Sequence, residues 1–327
     1  MPRHATVDEL SQILVSFAAL RALGMSERAI AARVRSRELT VVRRGWYVES
    51  AVWTNLWPES RHLLHVLAVV RDGHGSGVIS HESAAVVHGL PLYRRNPARV
   101  HLTTDAPRRI ASGPDVFRHV CPLPPEDVTV VRGITCTSLA RTVFDTARSL
   151  PLEAAVSIAD AAERSVAERQ REWNEDALAR WRRLMTERIA DAGGARGIRS
   201  ARFVTGFAQA RAQLPLESVS RLQLHRLGFR VLRVQVPVAA PNGRWYYLDL
   251  GLDEIDAFGE CDGETKYRDE ALRSGRSLED VLLDEKCRED WIRGTTNRRM
   301  LRWGDAQART SARLGHHLRS LGVTPPS

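Results

Sequence analysis

The chain has 327 residues, 43% of them hydrophobic and 27% charged. That is too long for one ordinary core, suits two or three domains, and excludes global disorder. Its 48 Lys and Arg against 39 Asp and Glu leave a net charge of +9 and a pI near 10.1. An arginine-rich surface suits phosphate oxygens, although codon usage in a GC-rich genome gives the same composition. Cys121, Cys136, Cys261 and Cys287 form no CxxC pair and have no His at finger spacing, which argues against a structural zinc site. Free thiols, no apolar stretch of signal type and no run of membrane-spanning length lead to the expectation of a cytoplasmic protein with no membrane partner.

In chain order, residues 1–50 predict a small helical domain closed by a hairpin. Asp8 starts a helix to about Val15, Phe17 to Leu23 form a second that Gly24 ends, and Ser26 caps a third from Glu27 to about Ser36. Ile30 and Val34 share the inner face of that third helix, while Arg28, Arg33, Arg35 and Arg37 populate its other faces. Leu39 to Val48 reads as a β-hairpin turning at Arg44-Gly45. Helix, turn, basic helix and basic hairpin make the layout of a winged helix-turn-helix. Its third helix would enter the major groove of double-stranded DNA, with Arg43 and Arg44 on the wing. A helical cap with a solvated basic face is the competing reading.

Residues 51–150 predict a mixed α/β region. A helix runs from Arg61 to Arg71, another from the N-cap Ser80 to Gly89, a strand from Arg99 to Thr104, a strand pair from Val128 to Thr137, and a helix from the cap Ser138 to Ala147. His81, His88 and His101 have no ligand-like spacing, so they read as structural histidines. Residues 151–212 predict a charged helical bridge: Leu152 to Glu163, Trp173 to Ile189 and, after Gly193-Gly194, Ala195 to Ala212.

Residues 213–327 carry the chemistry. A helix from Leu216 to Leu227 is followed by strands over Phe229 to Val236, Trp245 to Leu252 and Ile255 to Asp262. If the second turn closes around Glu254 and Ile255, Asp249 stands opposite Glu260, and period two adds Asp262 to that face. Glu217 reaches in from the helix. Converging carboxylates repel, and Mg2+ or Mn2+ held by Asp249 and Glu260 would resolve the conflict. Lys266 would bring a cation to the same edge. A simple edge hairpin exposing its acids is the alternative, but Asp249 and Glu260 interrupt strands made of Tyr, Leu, Ile, Ala, Phe and Cys.

Gly24 to Ile30 with Leu39 to Val48 resembles the N-terminal winged helix of the abortive-infection AbiEi family, antitoxins of type IV toxin–antitoxin systems that repress their own promoters. Ser80 to Leu90, Val100 to Thr104 and Thr137 to Asp145 are similar to the region that follows it there. Gly259 to Tyr267, Asp284 to Asp290 and Leu301-Arg302-Trp303 resemble the very-short-patch-repair-like endonuclease domain, of PD-(D/E)XK type, in actinobacterial relatives. The resemblance implies an α+β fold: a winged helix-turn-helix, a mixed α/β middle and a restriction-endonuclease-like mixed sheet flanked by helices. It matches Asp249 and Glu260 to the motif acids and sets Asp262 where the motif Lys is usual, with Lys266 as a substitute. Arg37-Glu38 stands where relatives often carry Gly. The implied function is DNA binding with metal-dependent phosphodiester hydrolysis. The alternative is a non-catalytic repressor whose toxin partner is met only indirectly. Oligomeric state is left open.

Overall fold

The structure, a computed structural model, describes residues 4–73, 77–105, 111–169, 172–262 and 278–326. It is an α+β fold, and its contacts divide it into two units, residues 1–158 with 182–203, and residues 159–181 with 204–327.

The first unit opens with helices Val7–Ile13, Phe17–Ala22 and Glu27–Arg35. Each start carries a side-chain cap: Thr6 in a reciprocal box with Glu9, Ser16 on Ala19 and Ser26 on Ala29. The caps matter because helices this short gain little from propagation alone. Strands Val15–Ser16, Trp46–Glu49 and Leu39–Arg43 form a sheet in that spatial order. The hairpin turns at Arg44-Gly45 as the sequence predicts, with Gly45 at φ 83°. Arg37 takes φ 61°, the left-handed conformation that a glycine would adopt freely. Leu20, Ile30 and Leu39 make the small core of this region.

A five-stranded mixed sheet follows, in the order Val116–Val120, Val100–Thr104, Val78–Ile79, Ile134–Thr137, Val128–Val131. Val116–Val120 has no counterpart in the sequence reading. It pairs in parallel with Val100–Thr104, in register from Val100↔Val116 to Thr104↔Val120. Helices Pro58–Arg71, His81–Val87 and Leu139–Ser149 contribute buried faces to this unit. Ser138 caps the last of them through Arg141 N, whereas Ser80 stands at the cap position of His81–Val87 without a capping hydrogen bond. Asp127, buried, accepts from Arg141 at 2.9 Å and from Arg188 at 2.5 Å, and Arg141 also holds Asp145 at 2.9 Å.

The bridging helices differ from expectation in extent. The predicted helix from Ala195 to Ala212 is Ile198–Phe207. It starts only after Gly197, at φ 79°, where a Cβ would lie 2.2 Å from the Arg148 carbonyl oxygen. Gln209 is drawn out of the helix by a hydrogen bond to Asp160.

The second unit is built on a four-stranded sheet, Leu232–Ala239, Trp245–Leu252, Ala257–Cys261 and Arg299–Trp303, in chain order. The first two junctions are antiparallel and the last is parallel. A parallel neighbour needs a crossover, which contains helix Leu278–Thr296. The first strand runs past Val236 to Ala239 because Pro237 sits in an edge strand, where a missing N–H is tolerated. Helices Pro215–Arg226 and Ser311–Ser320 share the larger core with Leu250, Leu252, Cys261 and Trp303, through Leu224, Leu314 and Leu318. Arg221 clamps the buried Asp160 at 2.9 Å.

His62 generates a pH prediction. It is 2% exposed, its Nε2 meets the Ser83 hydroxyl at 2.8 Å, and burial pushes its pKa down to about 3. The unfolded chain therefore binds the His62 proton below about pH 6.5 and the native one does not, so stability is present above that pH and is lost as pH falls. Urea denaturation of the wild type should show this contribution falling by on the order of 2 kcal/mol between pH 7 and pH 5. His62→Gln should flatten that dependence; an unchanged slope would assign the loss to other groups.

Candidate acidic centre and basic face

The acidic centre is assembled by the sheet of the second unit. Strands Trp245–Leu252 and Ala257–Cys261 pair as Leu250↔Gly259, Gly251↔Phe258 and Leu252↔Ala257, so the hairpin closes around Glu254 and Ile255, which meets the condition set on the sequence. Continued by one step, that register sets Asp249 opposite Glu260, but the ladder ends before it. Asp249 Oδ2 instead accepts the Cys261 backbone N–H at 2.8 Å.

The strands change character at that point. Val234, Leu250 and Leu252 pack in one core with Cys261 and Trp303. Val236, Val238 and Leu248 pack in another with Phe258, Ile292 and Met300. Residues two apart in a regular strand share a face, so both strands break their alternation between these pairs, at Gln235 and Asp249. Gln235 is the visible cause, with φ 53° inside a strand. A non-glycine residue held in the left-handed region stores strain of order 1 kcal/mol or more and is concentrated at functional sites. Its side-chain amide donates to Glu217 Oε2 at 3.0 Å and to Asp249 Oδ1 at 3.3 Å.

Glu217, Asp249 and Glu260 are 2%, 7% and 6% exposed. The Cys261 thiol is pushed well above its usual range, by burial first and then by the Asp249 carboxylate, with Glu217 and Glu260 adding to it. Glu260 also accepts from Arg288 Nη2 at 2.8 Å, and Arg288 donates to the Tyr247 carbonyl at 3.0 Å. Asp262 lies 3.5 Å from Arg302, which in turn engages Glu285 and Glu289. Gly259 makes way for the Trp303 ring, which a Cβ there would meet at 2.3 Å. Lys266 lies outside the described residues.

Of the acids that the sequence singles out, Glu217 and Asp249 are joined through Gln235, Glu260 is held by Arg288 and Asp262 by Arg302; Gln235, Arg288 and Arg302 are not among the residues the sequence singles out. A glutamine in an alternating strand carries no signal of its left-handed backbone. The two arginines come from a helix and a strand distant in the chain.

On the basic face, Arg28, Arg35, Arg37 and Arg44 are exposed and make no ion pair with any described residue. Arg33 is shared with Glu38 at 3.1 Å. Arg43 is committed differently from expectation. Its guanidinium is held by both Asp72 and Asp115, with 12% of its side chain exposed. Asp72 also takes the Trp46 indole N–H at 2.6 Å, so Arg43 anchors the hairpin.

No protein-family model matches the chain, and no curated protein matches it. Among solved structures, the Rv2827c protein from Mycobacterium tuberculosis aligns over 64% of this chain and 84% of that one, at 13% identity and a TM-score of 0.33. A likeness that slight carries no argument about either fold or function.

Proposed function

We propose that this chain binds double-stranded DNA through its N-terminal helices and hairpin, and that its acidic centre belongs to a metal-dependent endonuclease. The observation that carries the second half is the burial of Asp249 and Glu260 inside an otherwise apolar sheet, with Gln235 joining Asp249 to Glu217; the three carboxylates do not all lie within 4.8 Å of one another, so an ion would be held by a pair of them. Asp249 and Glu260 supply hard oxygen donors of the kind that magnesium or manganese takes. A bound ion there would stabilise charge on the scissile phosphate and lower the pKa of a water. The protein's own part is positioning. Gln235 sets the Glu217 and Asp249 carboxylates relative to each other, and Arg288 offers a guanidinium fork of the kind that pairs with phosphate.

For the first half, the order of three helices and a three-stranded sheet, with its last two strands in a basic hairpin, supports a winged helix-turn-helix. Helix Glu27–Arg35 then serves as the groove-reading element. Arg28, Arg35, Arg37 and Arg44 are the phosphate and base contacts in this reading, Arg33 assists, and Arg43 holds the wing.

A second reading is a repressor that keeps a nuclease-like fold without its activity. The pairing of Glu260 with Arg288, and of Asp262 with Arg302 at the position where the motif Lys is usual, favours it.

Two outcomes are expected. Supercoiled plasmid should be nicked in the presence of Mg2+ or Mn2+ by the wild type and not by Glu260→Gln; wild-type protein that binds DNA without nicking it would establish the repressor. In salt titrations of duplex binding, Arg35→Ala should lower the slope of log K against log salt by about 1. A slope equal to that of the wild type would remove helix Glu27–Arg35 from the interface.

A further inference from the structure

We propose that His81, His101 and His119 bind a transition-metal ion of the zinc class, with solvent completing its shell. The three residues come from the start of helix His81–Val87 and from the paired strands Val100–Thr104 and Val116–Val120. One nitrogen from each lies within 4.8 Å of the other two, and all three residues are half-buried, so the cluster is reachable from solvent. Among the described residues no other group of three His, Cys, Asp or Glu meets that spacing.

The geometry is close to what such an ion needs. Zinc–nitrogen bonds of roughly 2.0–2.1 Å in a tetrahedron separate the nitrogens by about 3.4 Å. His101 Nδ1 and His119 Nε2 already face each other at 3.1 Å. The other nitrogen of His101, Nε2, looks toward the buried Glu82 carboxylate at 3.9 Å, and Arg95 holds Glu82 at 2.8 Å. A carboxylate behind a ligating imidazole fixes its ring and its tautomer. His81 Nδ1 meets the Ser80 hydroxyl at 3.0 Å, which leaves Nε2 as its donor. The His81 and His119 rings stack at 3.6 Å and 10°, so their lone pairs run parallel and one ring must turn to close on the ion.

Two further features point to a ligand. His81 sits at φ 51° on the first residue of its helix, and Ser80 forgoes the capping bond that its position offers. Together they cost the helix start a hydrogen bond and backbone strain, and they bring His81 to the other two rings. Thr103 shares a strand face with His101 and is in register with His119. It is fully buried, and its hydroxyl has no hydrogen-bond partner. Most buried polar groups are satisfied, so an orphan beside a histidine cluster suggests a water or ion that the cluster holds. Imidazole donors select zinc, copper, nickel or cobalt over magnesium, so this site is distinct in chemistry from the acidic centre.

The test uses the full chain, stripped by a chelator and titrated with Co2+. A bound equivalent with d–d absorption of tetrahedral intensity and no thiolate charge-transfer band should appear, displaced by Zn2+ but not by Mg2+. His101→Gln and His119→Gln, shown to be folded by circular dichroism, should each weaken binding by at least about 100-fold, and Glu82→Gln by about 10-fold. Long-range 1H–15N spectra of the wild type need no variant and should show Zn2+ shifting the ring nitrogens of these three histidines. A wild type that takes up no Co2+, spectra in which Zn2+ leaves these rings unmoved, or folded histidine variants that bind as the wild type does would overturn the proposal. Nuclease activity does not enter any of these readouts, so failure here is distinguishable from failure of the acidic centre.

Discussion

Burying ionised groups is the constraint on which both units depend. Removing a charge from water costs several kcal/mol unless partners replace the solvent. Asp127, Asp145, Asp160, Asp249, Glu82 and Glu260 are all buried. Five of them have an arginine: Asp127 and Asp145 share Arg141, Asp160 has Arg221, Glu82 has Arg95 and Glu260 has Arg288. Of these six, Asp249 is the exception. It relies on one backbone N–H and one side-chain amide, neither of them charged. The arginine richness of the composition is therefore partly internal. Arg43, Arg141, Arg221 and Arg288 serve the fold first, whereas Arg28, Arg35 and Arg44 are exposed and make no ion pair with any described residue.

That division explains why composition alone was ambiguous. A net charge of +9 does not distinguish an arginine that neutralises Asp127 from one that faces solvent. Arg43 illustrates the difficulty. In sequence it is adjacent to Arg44 on a basic hairpin, but Asp72 and Asp115, far along the chain, claim it.

Local chemistry was legible where it was local. Ser26 and Ser138 capped helices where expected, Gly45 turned the hairpin, and strand Trp245–Leu252 has the limits that its pattern indicated. The closure around Glu254 and Ile255, a condition on the sequence rather than a consequence of it, is met. Illegible features were of two kinds. One is backbone departure from an element's period: Gln235 reads as an ordinary residue of an alternating strand, yet its left-handed backbone redirects the side chains on either side of it. The other is long-range assembly. His81, His88 and His101 have no ligand-like spacing in the chain, and the third member of the cluster, His119, comes from strand Val116–Val120, which is short and lies beside only one partner in the sheet.

The acidic centre has a single most direct test. Crystals of the full chain grown with Mn2+ should show an anomalous scattering peak within coordination distance of the carboxylates of Asp249 and Glu260. The account predicts that peak there, with Gln235 still joining Asp249 to Glu217. A diffraction map with no manganese at these carboxylates, in crystals where Arg288 keeps its bond to Glu260, would contradict it.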